Sequence, residues 1–279
     1  MTPPPTPSRQ FLATGFRNVD TSGDTDACHR CLDLIAGVPF FNEVKRDSIR
    51  IIADASPHRV LDAGCGAGVD LPNLASALPP PSEIVGFDAS ASLLARAGDR
   101  IADCSTRCRL VKGDILHTPF RDGAFGACRI DRVLQHIHEP GRAIEELART
   151  LAQGGVLVAF DNDWDTFGIS LDDQKLAELI RHSWRDSFAS GRIGHDLPRI
   201  FRESGLAEVK AEPRTLVLDD LAVAEPVFDL PHLLERMQKG GELTTDQVAG
   251  IRDEFTRRAR EGRFRLTYTG FLVRGKKPE

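Results

Sequence analysis

The densest group of chemically useful residues is Val60-Leu61-Asp62-Ala63-Gly64-Cys65-Gly66-Ala67-Gly68. Apolar residues run into a carboxylate and then through alternating glycines. Glycine is needed where a chain turns tightly and lets a ligand approach its backbone with no Cβ in the way. A second apolar run, Ile84-Val85-Gly86-Phe87, ends in Asp88. That acid falls at about the 20-residue offset at which a carboxylate accepts hydrogen bonds from ribose hydroxyls. Together the two segments predict a nucleoside-binding strand–helix–strand unit. A dinucleotide suits it poorly: the third glycine of G-x-G-x-x-G would fall on Val69, and Asp62 would repel a pyrophosphate.

Two histidines stand where a base could serve a reacting group. His136 follows the fourth apolar run, and His195 follows Gly191-Arg192-Ile193-Gly194. A base is most useful with a pKa near the working pH. Each also has a structural alternative, His136 packing against the loop before Pro140 and His195 packing at a helix terminus. Trp164 follows the end of the fifth apolar run, the edge where α/β sheets bind ligands, and is expected to wall a substrate pocket. Phe16, Phe40 and Phe41 are lid aromatics or core. Cys28 and Cys31, and Cys104 and Cys108, have suggestive spacings. A zinc site needs four converging ligands, and these pairs flank the glycine segment from opposite sides. They read as reduced, small apolar residues.

The elements that must hold these residues follow from periodicity. Strands are expected at Arg59–Ala63, Glu83–Asp88, Cys108–Lys112, Gly126–Ile130 and Gly155–Asp161, with helices near Asp70–Leu78, Ala91–Asp103 and Arg142–Leu151. This alternation indicates a doubly wound parallel sheet. Beyond it, helices are expected at Ser170–Ser190, His195–Ser204, Leu221–Lys239 and Thr244–Glu261, and strands at Ala207–Leu218 and Phe264–Arg274. The 279 residues, 41% of them hydrophobic, suffice for one large α/β domain with additions. The expected division is a disordered proline-rich leader over 1–10, an N-terminal helical lid over 11–55, and the main domain over 56–279 with helical insertions at about 167–204 and 219–262. A net charge of −5 and a pI near 5.9 argue against a general nucleic-acid binder. No apolar run is long enough to span a membrane, and the leader lacks the apolar core of a signal peptide. The expected protein is cytoplasmic, a monomer or homodimer acting on a small molecule.

The glycine segment resembles the first motif, L-D-x-G-C-G-x-G, of the class I S-adenosylmethionine-dependent methyltransferases. Arg132-Val133-Leu134-Gln135-His136-Ile137 and Glu145-Glu146-Leu147-Ala148-Arg149-Thr150-Leu151-Ala152-Gln153-Gly154-Gly155 are similar to segments of the ubiquinone and menaquinone biosynthesis branch. The resemblance implies a Rossmann-like α/β fold with a doubly wound seven-stranded sheet, its last strand antiparallel, carrying helical lid additions. It implies methyl transfer from S-adenosylmethionine to oxygen, nitrogen or carbon of a small molecule, as in natural-product biosynthesis. By position, it places Asp62 near the methionine amino group, with Gly64, Cys65, Gly66 and Gly68 giving close backbone approach. It places Asp88 and Ala89 at the ribose, Asp114 and Ile115 at the adenine, and Asp131 and Arg132 beside the cofactor. Independently of the family motifs, Phe16, Phe40, Phe41, Asp161 and Trp164 are expected to contact the substrate. Catechol-type relatives instead bind magnesium with an acid after strand four and Asp-Asn after strand five, which would be Asp131, Asp161 and Asn162. Leu134 stands where those enzymes carry a lysine, so no metal is expected. A further alternative is a cyclisation or rearrangement with the cofactor as a structural element.

Overall fold

A computed structural model describes residues 12–21, 25–102 and 107–279. The expected leader, Phe11 and Cys104 lie outside the described residues. A short helix α1 (Leu12–Gly15) and a 3-10 turn at Val19–Thr21 precede helices α2 (Thr25–Ala36) and α3 (Pro39–Asp54). There follow β1 (Arg59–Ala63), α4 (Leu71–Ala77), β2 (Glu83–Asp88), α5 (Ala91–Ile101), β3 (Arg107–Lys112), β4 (Phe125–Asp131), α6 (Pro140–Thr150) and β5 (Leu151–Ile169). The chain ends with α7 (Gln174–Arg185), α8 (Ile193–Glu203), β6 (Ala207–Leu218), α9 (Leu221–Val227), α10 (Leu230–Lys239), α11 (Thr245–Arg260) and β7 (Leu266–Lys276).

The strands form one sheet in the order β3-β2-β1-β4-β5-β7-β6. The first five pair in parallel, and β7 lies antiparallel between β5 and β6. This is the doubly wound seven-stranded α/β sheet the sequence implies. Its central strands are apolar without alternation because both faces are covered. Ile144, Leu147, Leu197 and Phe201 of α6 and α8 pack on Leu61 and Ile130 from one side. Val44, Ile52, Leu71 and Leu74 of α3 and α4 pack on Val60, Ile84 and Val158 from the other. The winding direction reverses between β1 and β4, so a crevice opens at their C-terminal ends.

Two expectations need correction. The fifth strand was expected to stop at Asp161, but β5 continues to Ile169, taking Asp163-Trp164-Asp165-Thr166 with it. Three of those four residues are polar, yet β7 stays alongside, and a register shift between Asp163 and Gly168 absorbs the mismatch. Phe167 and Ile169, assigned to a helical insertion, are therefore strand. The single helix expected over 221–239 is two, because Pro231 cannot continue a helix and Asp229 turns the chain at φ 47°. Around the extended β5, helices α7, α9, α10 and α11 build a separate core. It holds a cluster of aromatic rings among its aliphatic residues: the Trp164 ring lies 4.6 Å from Tyr268 and 5.1 Å from Phe188.

One charge sits at the centre of the sheet. Arg129 of β4 is 2% exposed. Its Nη1 donates to Asp62 at 2.9 Å, its Nη2 to Asp70 at 3.0 Å and Asp131 at 2.7 Å, and its Nε to Ser48 at 2.9 Å. Lys45 of α3 lies 3.0 Å from the other Asp70 oxygen. Removing one member of such a group leaves the others charged and desolvated. Arg129→Met should therefore cost about 3–5 kcal/mol in urea unfolding, the scale for breaking a buried ion pair. A loss below about 1 kcal/mol would show that Arg129 does not hold these carboxylates together.

Candidate cofactor and substrate site

The crevice floor is the glycine turn after β1. Gly64 has φ 71°, and a Cβ there would lie 2.2 Å from Val133 Cγ2. At Gly68, also φ 71°, a Cβ would lie 2.7 Å from that of Ala97 on α5. These two glycines let the turn fit between the segment after β4 and α5. Gly66 has open space beside it, and its N–H donates to Asp88 Oδ2 at 2.8 Å. The other Asp88 oxygen accepts from Ser90 N–H at 2.8 Å. A backbone N–H of Ala89 adds to these donors, and Asp88, which lines the crevice, keeps acceptor capacity beyond them. Burial raises the Asp88 pKa, against these backbone donors.

A cavity of about 560 Å³ runs from this turn into the aromatic core. One end is lined by Gly64, Gly66, Asp88, Ala89, Asp114 and Ile115. The other is lined by Trp164, Trp184, Phe188, Phe228 and Tyr268, with Asn162 and His136 between the two ends. Phe16, Val19, Leu32 and Ile35 of the N-terminal segment, with Phe41 and Val227, roof it. The roof is fastened by Asp20, whose carboxylate accepts from Ser90 Oγ at 2.6 Å and from Ala91 N–H at 2.7 Å at the start of α5. The Ser90 and Ser92 hydroxyls, together with that helix N-terminus, hold the Asp20 pKa well below the usual carboxylate range.

Asp131 and Arg132 also line the cavity. Arg132 adopts φ 55°, an uncommon conformation outside glycine. Its guanidinium carbon lies 4.6 Å from the Phe41 ring centroid, and its Nε donates to Asp131 at 2.7 Å. Burial alone would raise Asp131, but Arg132 and Arg129 hold it down at about 2.

Several expected contacts lie elsewhere. Asp62 is 2% exposed beneath the glycine turn, paired with Arg129, and does not line the cavity. Burial pushes it up to about 6, against the pull of Arg129. Cys65 and Gly68, within the turn, do not line the cavity either. Phe40, half-buried, packs against Phe160 and Tyr268 at 6.3 and 6.1 Å between ring centroids and does not line the cavity. His195 has a side chain 60% exposed, outside the cavity, with Nδ1 3.9 Å from Asp163. Asp161 is 1% exposed behind Asn162 and accepts from the Asn162 and Gln135 backbone N–H groups. Burial pushes its pKa up to about 7. Among the described residues, no three His, Cys, Asp or Glu side chains gather to hold a metal ion.

Sequence reasoning missed Gln135 and Tyr268. Gln135 Oε1 accepts from Trp164 Nε1 at 2.8 Å and from Asn162 Nδ2 at 3.1 Å. Its Nε2 donates to Arg132 O at 3.2 Å and lies 3.3 Å from His136 Nε2. One signal was available: a glutamine in an apolar stretch next to a histidine must find partners when buried. Tyr268 carried no signal beyond being the one tyrosine of the chain.

Residues 61–159 match the family described as Methyltransferase domain. An uncharacterized 37.1 kDa protein of a Streptomyces fradiae transposon is 35% identical over 68% of this chain and 55% of its own length. A demethylmenaquinone methyltransferase of Thermus thermophilus is 32% identical over 42% of this chain and 53% of its own. The chain thus spans about half the length of these curated relatives. The solved YcgJ protein of Bacillus subtilis shares the fold, with a TM-score of 0.58 at 19% identity over 84% of this chain and 99% of its own. No helix among the described residues is long and apolar enough to cross a membrane. On the strength of its glycine turn, its sheet and these matches, the chain carries a class I S-adenosylmethionine-dependent methyltransferase domain related to the ubiquinone and menaquinone biosynthesis branch.

Proposed function

We propose that this chain transfers a methyl group from S-adenosylmethionine to a small, largely apolar acceptor held in the same cavity. The observation that carries this reading is the continuity of that cavity, which joins a nucleoside-suited end to an aromatic end. Asp88 would accept from both ribose hydroxyls, with Ala89 alongside. Asp114 and Ile115 would flank the adenine, and the Gly64–Gly66 backbone would meet the methionine portion. Asp62 would act beneath the turn, holding it through Arg129. Bound there, S-adenosylmethionine supplies an electrophilic methyl group. The chain contributes alignment and exclusion of water. Trp164, Phe188 and Phe41 would wall the acceptor, and the N-terminal helices with α9 would close over it as a lid.

Three outcomes test this reading. Asp88→Ala should weaken S-adenosylhomocysteine binding by roughly 1.5–3 kcal/mol in calorimetry, the scale of hydrogen bonds to a charged acceptor. Unchanged affinity in a folded variant would remove Asp88 from the ribose. Asp20→Ala should speed hydrogen exchange of α2 while leaving the β-sheet unchanged, since it releases the roof from α5. Exchange identical to wild type would mean that this latch holds nothing. Methyl transfer should survive EDTA, because the two guanidinium groups on Asp131 already occupy and neutralise the carboxylate a cation would need. Activity lost on chelation and restored by magnesium would instead make Asp131, Asp161 and Asn162 ligands.

A further inference from the structure

The Gln135 amide fixes the protonation of its neighbour. An indole N–H can only donate, so the atom facing Trp164 Nε1 is the Gln135 oxygen. A backbone carbonyl can only accept, so the atom facing Arg132 O is the Gln135 nitrogen. Two independent partners thus set the same amide orientation. The second Gln135 N–H points at His136 Nε2, 3.3 Å away. That nitrogen must accept and cannot carry a proton. A neutral imidazole with a bare Nε2 carries its hydrogen on Nδ1. The imidazole is neutral: burial, with Arg17 and Arg132 nearby, pushes its pKa down to about 3. Nδ1 is buried and has no partner among the described residues, and His136 lines the cavity with the rings of Phe16 and Phe188 on either hand, at 5.7 and 5.6 Å between centroids.

We propose that His136 serves the acceptor molecule as a hydrogen-bond donor through Nδ1–H, recognising an oxygen on it, and does not act as a general base. The ligand is then an apolar, ring-sized molecule bearing a carbonyl, carboxylate or phenolate oxygen. Two other residues of the cavity lining carry a buried polar atom with no partner among the described residues, Asn162 Oδ1 and Tyr268 Oη, which supports a polar feature on that ligand. A buried donor left unpaired is costly, so a ligand that pairs with it gains over one that does not. Gln135 is the positioning residue. Its four hydrogen-bonding sites are all used, and together they set the imidazole tautomer and the pose of Trp164.

The ligand part of this proposal rests on the methyl-transfer reading; the tautomer does not. Long-range proton–nitrogen correlation on histidine-labelled protein distinguishes the two neutral tautomers. His136, assigned by its loss in His136→Phe, should show the Nδ1–H pattern at neutral pH with no cofactor present. Gln135→Glu, which offers His136 an acceptor only, should convert it to the Nε2–H pattern. An Nε2–H tautomer or an imidazolium in the wild type overturns the proposal. Unchanged tautomer in Gln135→Glu also overturns it. For the ligand, acetophenone and α-methylstyrene are near-isosteres differing in one oxygen. The protein loaded with S-adenosylhomocysteine should bind acetophenone roughly threefold to tenfold more tightly, the range of one neutral hydrogen bond. His136→Asn, which keeps a donor close to the Nδ1 position, should retain that preference, and His136→Phe should lose it. A preference that is absent, or that survives in His136→Phe, overturns the ligand assignment. Because the tautomer readout needs no turnover, its failure leaves methyl transfer standing. A failure of S-adenosylhomocysteine release leaves the tautomer readable.

Discussion

The architecture depends on a guanidinium buried in the middle of a parallel sheet. Removing Arg129 from water is unfavourable by several kcal/mol unless it is surrounded by charge and hydrogen-bond acceptors. Asp62, Asp70, Asp131 and Ser48 supply them from β1, the start of α4, β4 and α3. The same ring of contacts therefore fixes the floor of the crevice to the helix that follows the roof. It also passes its influence onward: Asp131, held ionised by Arg129, orients Arg132, which reaches the cavity and stacks on Phe41.

Above that layer the site divides by chemistry. Backbone and one carboxylate dominate the end at Gly66 and Asp88, where a polar, flexible ligand must be gripped. Aromatic rings dominate the end at Trp164 and Phe188, a lining suited to the flat apolar acceptor proposed above. Gln135 stands between the two. By saturating its own amide it holds Trp164 and Asn162 in place and leaves His136 with a single role available. A reaction that moves one carbon between two ligands needs this kind of rigid alignment more than it needs a strong acid or base.

The cofactor end was legible in the sequence because its signal is local. Glycines forced by turn geometry, and an acid at the end of the next strand, occupy fixed offsets in any such βαβ unit. The strand order followed from the same alternation. Side-chain direction was not legible. Asp62 reads as a ligand contact, yet it turns under the loop because Arg129, a residue 67 positions on, claims it. Phe40 and Phe41 are adjacent, and helical geometry brings only Phe41 to the cavity while Phe40 packs half-buried on Phe160 and Tyr268. His195 reads as a base, but α8 leaves it exposed. Arg129 interrupts the apolar run Ala127-Cys128-Arg129-Ile130 and passed unremarked in the sequence, because nothing local says which partners it takes. The length of β5 was hidden as well, since polar Asp163 and Asp165 mask a strand whose pairing depends on a segment a hundred residues away.

The most direct measurement is an experimental structure of the chain with S-adenosylhomocysteine bound. The ribose hydroxyls should meet Asp88, the adenine should lie beside Asp114 and Ile115, and the sulfur should point along the cavity toward Trp164 and Phe188. A ligand whose sulfur faces away from the aromatic end, or one that lies outside the crevice between β1 and β4, would contradict methyl transfer into this cavity.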